Sequence, residues 1–236
     1  GSQRMQERPI RLLVDALKTL GAEIEYANNE GFPPLKIKGK KLKGGKVSIP
    51  ADTSSQYISA LLMIAPTLEE GLILELIGEI VSLPYILMTL NLMKYFGVES
   101  TLEGNIITVK NQEYQAKSFF IEADWSAASY FYSMTFLSDD AEITLNGLQQ
   151  DSVQGDAVIA DIFKDWVETY YQENSIVLKK KKADLPKIFQ FDFLECPDLA
   201  QTVLTALAAK KINCNFQGLK TLLIKETNKV AALDNE

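Results

Sequence analysis

Apolar positions recur along this chain in two rhythms that take turns. Ile10, Leu13, Val14 and Leu17 share one stripe at helical spacing over residues 9 to 20, and Gly21 stands where a left-handed cap would end the helix. Short alternating runs follow: Glu23-Ile24-Glu25-Tyr26, Leu35-Lys36-Ile37 and Lys46-Val47-Ser48-Ile49 read as half-exposed strands, separated by turns at Asn28-Asn29, Pro33-Pro34 and Gly44-Gly45. The pattern then predicts helices at 53 to 65, 84 to 96, 126 to 137, 154 to 171 and from Asp198 to about Ala209. Strands are predicted at 72 to 77, 98 to 102, 106 to 110, 118 to 122, 142 to 146, 175 to 180, 188 to 193 and 212 to 216, and a last helix near Lys225. Helix 53 to 65 is apolar nearly all round, from Tyr57 and Ile58 to Met63 and Ile64, which predicts burial beneath sheets. The helices carrying Lys18, Lys94, and Lys164 with Asp165 and Glu168 read as more amphipathic.

These elements repeat. Thr53-Ser54-Ser55-Gln56, Asp124-Trp125-Ser126 and Pro197-Asp198 each open a helix, and the markers Ser54, Ser126 and Asp198 are 72 residues apart. A second helix type starts at Arg8-Pro9-Ile10, Ser82-Leu83-Pro84-Tyr85, Ser152-Val153-Gln154 and Ile224-Lys225-Glu226, again about every 70 to 75 residues. A fixed period of this length implies a duplicated supersecondary unit. Duplication sets several helix N-termini side by side, and helix N-termini attract anions. The chain opens just before one repeat's second helix and stops inside another's, which reads as a fragment.

Composition narrows the function classes. With 236 residues and 47% apolar content the chain can bury a substantial core and has room for one large or two ordinary domains. A net charge of -7 argues against a nucleic-acid partner, which would require a clustered basic face. The unbroken basic run Lys179-Lys180-Lys181-Lys182 reads as a solvated turn flanking a strand. The chain contains no histidine, so a zinc site or a histidine-dependent triad within it is excluded by inventory, and Cys196 and Cys214 read as reduced, buried thiols. No apolar run reaches the roughly 18 residues of a membrane span and no signal pattern precedes residue 20, so the expectation is a cytoplasmic protein without a membrane partner.

Chemistry-bearing residues collect at the helix starts. Ser54 and Ser55 fall in the first turn of one helix and Ser82 precedes the next, where hydroxyls and free backbone N-H groups either cap the helix or surround a phosphate. Asp198, Lys225, Glu226, Arg8 and Lys229 supply a base, an acid and three cations without histidine. Spacing and composition lead as far as a repeat protein with an anion-binding cleft.

The segments Arg4-Met5-Gln6-Glu7-Arg8-Pro9-Ile10, Ser54-Ser55-Gln56-Tyr57-Ile58-Ser59-Ala60-Leu61-Leu62, Ser82-Leu83-Pro84-Tyr85, Asp151-Ser152-Val153-Gln154-Gly155-Asp156, Pro197-Asp198 and Ile224-Lys225-Glu226-Thr227, in this order and spacing, resemble the 3-phosphoshikimate 1-carboxyvinyltransferase family. Its members are also called 5-enolpyruvylshikimate-3-phosphate synthases. The resemblance implies an α/β fold of two lobes, each built from βαβαββ units, with the active site in the cleft between them. It puts a partial first lobe at residues 1 to 123 and a partial second lobe at 124 to 236.

The implied reaction is transfer of the enolpyruvyl group of phosphoenolpyruvate to the 5-hydroxyl of shikimate 3-phosphate, by addition and then elimination of phosphate, with neither metal nor redox cofactor and in a monomeric parent enzyme. Position by position, the resemblance implies that Ser54, Ser55 and Ser82 hold the shikimate phosphate and that Gln56 and Tyr85 line the ring. Asp198 accepts the proton of the attacking hydroxyl, with Lys225 bonded at the same end and Thr221 on the same substrate. Arg8, Gln56 and Lys229 take phosphoenolpyruvate, and Glu226 moves its proton.

Where the family shows Lys-Glu-Thr-Asp-Arg, this chain ends the motif in Asn228 and Lys229, replacing a forked bidentate donor by a point charge. The family's N-terminal lysine-serine pair, its asparagine-alanine-glycine loop and its C-terminal Asp-His-Arg are not within the sequence, so the chain alone is expected not to turn over. Truncated lobes expose strand edges and apolar faces, which predicts marginal stability or self-association. Two alternatives stand beside this reading: the sister transferase acting on UDP-N-acetylglucosamine, and a non-catalytic module that binds phosphorylated ligands.

Overall fold

A computed structural model of the chain describes residues 3 to 219 and Leu222. By internal contacts the chain divides into two compact units, Gly1–Lys117 and Ser118–Glu236. The predicted helix near Lys225 lies outside the described residues.

In the first unit, helix α1 (Arg11–Thr19) is followed by the antiparallel pair β1 (Glu23–Tyr26) and β2 (Leu35–Lys38). Then come β3 (Gly45–Pro50), α2 (Ser55–Ile64), β4 (Leu72–Ile77), α3 (Leu83–Tyr95), β5 (Ser100–Glu103) and β6 (Ile106–Val109). The four strands form one sheet in the order β3-β4-β6-β5, with β3 and β4 parallel and the other pairs antiparallel. This is one complete βαβαββ unit. Period-two burial explains the sheet's inner face: Val47 and Ile49 of β3 and Leu72, Leu74 and Leu76 of β4 point into the core. Ile58, Leu61 and Leu62 of α2 and Ile86, Leu90 and Met93 of α3 meet them at helical spacing. Each such side chain contributes about 1.5–3 kcal/mol by leaving water.

The second unit begins with α4 (Trp125–Leu137) and β7 (Glu142–Asn146), then a 3-10 turn at Gly155–Val158, α5 (Ile159–Ile162), and the hairpin β8 (Val167–Gln172) and β9 (Ser175–Lys180). Its sheet runs β7-β9-β8 and is antiparallel throughout. A further piece, β10 (Ile188–Asp192), α6 (Ala200–Ala209) and β11 (Asn213–Gln217), forms a parallel strand pair joined by a helix. Aromatic rings fill this core: Phe136 lies 5.1 Å from Trp166 and 5.4 Å from Phe163, with Trp125 and Tyr132 buried beside them.

The repeat is real at the level of single hydrogen bonds. Ala51 donates its N-H to the Ile77 carbonyl at 2.8 Å, Ala123 to Gly147 at 2.8 Å and Phe193 to Gln217 at 2.9 Å. Each bond joins the residue that leads toward a first-type helix to the end of the strand that follows that helix. The turn beyond needs glycine: at Gly218, with φ of 72°, a Cβ would sit on the Leu194 backbone nitrogen and the Asp192 carboxylate.

Several expectations are corrected. The helix predicted over 154 to 171 is only the 3-10 turn and the four residues of α5; Val167–Gln172 is a strand, because Val167, Thr169, Tyr170 and Tyr171 favour the pleated hairpin with β9 over a helix. Lys164, Asp165 and Glu168 are therefore not on a helix. Residues 118 to 122 join none of the sheets, and only Ala123 makes the bond to Gly147 that a first strand would extend. Lys179 and Lys180 belong to β9 and not to a turn: Lys179 pairs with Glu142 at 2.9 Å, and Lys180 donates to the Phe136 carbonyl at the end of α4. Helix α2 is not buried all round, since Met63 is 52% exposed. Both thiols are free, but only Cys196 is buried, Cys214 being intermediate. Helix α4 contains no charged residue, yet Tyr130 and Met134, one turn apart, are 60% and 55% exposed, with Phe131 and Leu137 beside them.

Candidate active site

The first unit brings two helix starts together. Val81, entering α3, donates its N-H to the carbonyl of Ala51, entering α2, at 3.5 Å, so the loops carrying Ser54 and Ser82 run side by side. Ser54 is the N-cap of α2 and Ser82 that of α3, and neither hydroxyl makes a capping bond. Ser82 is buried and holds a left-handed conformation (φ 59°, ψ 39°), which costs a non-glycine residue about 1–2 kcal/mol. A strained residue of this kind persists only where the surrounding structure holds it in place.

Around these starts lie the other first-unit residues singled out from sequence. Ser55 opens α2, Gln56 is exposed beside it, and Tyr85 is in the first turn of α3. The Tyr57 hydroxyl donates to the Pro9 carbonyl at 2.5 Å, tying the segment after Arg8 to α2. Burial raises the Tyr57 phenol above its ordinary pKa, and the nearby Arg8 cation works against that rise. Arg8, Ser54, Ser55, Gln56, Ser82 and Tyr85 thus belong to one end of one unit. Together they offer hydroxyls, helix N-termini and a guanidinium suited to an anion.

The second unit treats its matching helix start differently. Gln154 Oε1 accepts from the Trp125 N-H at 3.0 Å, Asp124 Oδ1 from the Ser126 N-H at 2.8 Å, and the Ser126 hydroxyl donates to buried Asp156. Glu122 takes four donors: Trp125 Nε1, the Gln149 N-H, the Ser152 hydroxyl and Gln154 Nε2, at 2.7 to 3.2 Å. Sequence reasoning quoted Ser152, Gln154 and Asp156 as a motif but assigned them no role. Their polar types before a short helix were the signal available; what they bond to lies about 30 residues away, beyond any local pattern.

Asp198, half-buried, lies in the 3-10 turn Pro197–Leu199 that leads into α6. Thr221, Lys225, Glu226 and Lys229 lie outside the described residues. No group of three or more acidic or cysteine side chains able to hold a metal occurs among the described residues, and none of the described helices is long and apolar enough to cross a membrane.

The family pattern of EPSP synthase (3-phosphoshikimate 1-carboxyvinyltransferase) matches residues 1–236. The chain belongs to the EPSP synthase family. A 3-phosphoshikimate 1-carboxyvinyltransferase of Bacteroides fragilis strain ATCC 25285 is 49% identical over 239 residues, covering 100% of this chain and 58% of the relative. That of Pseudoalteromonas atlantica strain T6c is 38% identical over 244 residues, covering 99% of this chain and 54% of the relative. The chain therefore spans a little over half the length of these EPSP synthases. The solved EPSP synthase of Acinetobacter baumannii superposes on all of this chain and 54% of its own with a TM-score of 0.72; at 18% identity this shows a shared enolpyruvyltransferase fold. These matches favour the EPSP synthase reading over the UDP-N-acetylglucosamine sister transferase and over a non-catalytic module.

Proposed function

We propose that this chain carries the shikimate 3-phosphate half of an enolpyruvyl transfer site. In the full reaction the 5-hydroxyl oxygen of shikimate 3-phosphate bonds to C2 of phosphoenolpyruvate while C3 gains a proton. The bond from C2 to the phosphate oxygen then breaks and C3 gives up a proton, leaving the enolpyruvyl ether and inorganic phosphate.

In this reading Ser54, Ser55 and Ser82 hold the shikimate phosphate, and Gln56 and Tyr85 line the ring. Asp198 takes the hydroxyl proton, with Lys225 and Thr221 on the same substrate. Arg8, Gln56 and Lys229 face phosphoenolpyruvate, and Glu226 handles the C3 proton. Two anionic substrates repel each other, so cations and helix N-termini must offset that repulsion while charge shifts between them. In this scheme the chain crosses from one lobe to the other at residues 122 to 124, and the reaction takes place in the cytoplasm in a monomer.

The observation that carries the proposal is the pair of helix starts joined by Val81 and Ala51, whose serines make no capping bond and one of which is strained. Calorimetric titration of the chain with shikimate 3-phosphate tests it, with unphosphorylated shikimate as control. Binding that requires the phosphate and disappears in the Ser54→Ala/Ser55→Ala double variant is the expected result. No heat from a folded chain would overturn the half-site.

A further inference from the structure

Across the packing of α2 against α3, Ser59 Oγ and Thr89 Oγ1 lie 2.7 Å apart, and Thr89 is 7% exposed. Thr89 Oγ1 also donates to the Tyr85 carbonyl on its own helix at 3.1 Å. A hydroxyl has one proton. With that of Thr89 committed to Tyr85, the proton between the two hydroxyls must come from Ser59. The result is a directed relay from Ser59 through Thr89 to the backbone of Tyr85, set among Ile58, Leu61, Leu62, Ile86 and Leu90.

Apolar contacts fix how closely two helices approach, but neighbouring ridges allow one helix to slide along the other at modest cost. A hydrogen bond in low dielectric tolerates little change in length or angle. Ser59 stands one turn into α2 from Ser55, and Thr89 lies two turns into α3 from Ser82. A slide of either helix would therefore first change the spacing of the serines at their starts.

We infer that Thr89, through its bond from Ser59, is a positioning residue that sets the spacing of Ser54 and Ser55 relative to Ser82 and so the affinity for the shikimate phosphate. This rests on the proposed role of those three serines. In the second unit Ser129, fifth residue of α4 as Ser59 is of α2, gives its hydroxyl proton to the Ser126 carbonyl at 2.6 Å, and its Oγ lies 3.3 Å from Thr202 Oγ1 of α6, one turn from Asp198.

The test is titration of shikimate 3-phosphate into the chain and its Thr89→Val and Thr89→Ser variants, with the melting temperature of each. Valine keeps the shape and removes the relay; serine keeps the relay and removes a methyl. Thr89→Val is expected to weaken binding about 3- to 10-fold, the worth of one net hydrogen bond, and Thr89→Ser to restore it. A purely structural role would lower the melting temperature without moving affinity. Should Thr89→Val not fold, Ser59→Ala breaks the same bond from the more exposed side and carries the same expectation.

Unchanged affinity in Thr89→Val, or a loss that Thr89→Ser does not restore, overturns the inference and leaves the phosphate site standing. No binding by the unaltered folded chain overturns both.

Discussion

The Ser126 hydroxyl donates to the carboxylate of Asp156, 30 residues further along the chain and 1% exposed. With Asp124 and Gln154 on the first N-H groups of α4, this bond gives the second unit a helix start whose donors are taken by its own side chains. The corresponding start in the first unit, at Ser54, has no side-chain cap. One repeated element thus serves stability in one unit and stands open in the other.

Ser126→Ala is expected to destabilise the chain by about 1.5–3 kcal/mol, the range for a hydrogen bond to a charged group, because it strips a donor from a buried carboxylate. Ser54→Ala should cost much less, having no capping bond to lose. Urea unfolding of the two variants checks the contrast.

Ser82→Gly removes the left-handed strain at φ 59° and is expected to raise stability by about 1 kcal/mol. The same change deletes a proposed phosphate ligand. A higher melting temperature together with weaker shikimate 3-phosphate binding would display both effects in one variant.

Gly218→Ala and Gly104→Ala both place a methyl at positive φ, yet only the first meets backbone. Gly104 has nothing within 4 Å of the added carbon, whereas at Gly218 the carbon strikes Leu194 and Asp192. The expectation is about 1 kcal/mol of strain for Gly104→Ala and more than about 3 kcal/mol for Gly218→Ala, where overpacking is added to strain. Denaturant titration separates them.

Burial pushes the Cys196 thiol up to about 12 from its ordinary 9.0, with nearby Asp156, Glu195 and Asp192 adding to the rise. The folded chain keeps the proton that the unfolded chain loses, so this contribution to stability is complete below pH 9 and declines as pH climbs toward 12. At pH 8 a thiol reagent should modify the less buried Cys214 first and reach Cys196 only on unfolding.

Much of the fold was legible because the repeat enforces a clear alternation of period-two and helical patterns. Leu72 to Ile77 could be little other than a strand, and the Ser54-Ser55 and Ser82 helix starts announced themselves by residue type. The misreading at 154 to 171 arose where Ile159, Ile162, Phe163 and Trp166 imitate a helical stripe that runs into a β-hairpin; local spacing does not tell a core-facing turn from a longer helix. The Glu122 cluster was illegible for another reason. Its partners at Gln149, Ser152 and Gln154 come close only through tertiary folding, so nothing within a window of ten residues encodes them.

The charge-free helix α4, with Tyr130 and Met134 facing outward, has a colloidal consequence. A chain of net charge -7 is kept apart from its copies by long-range repulsion, while this apolar stripe attracts at short range. Repulsion of that kind fades once the screening length falls to about 3 Å, near 1 M salt, and the attraction does not. Ionic strength then governs whether these molecules remain dispersed, and light scattering across a salt series would show association rising with salt in the native chain and flattening in Tyr130→Glu/Met134→Lys.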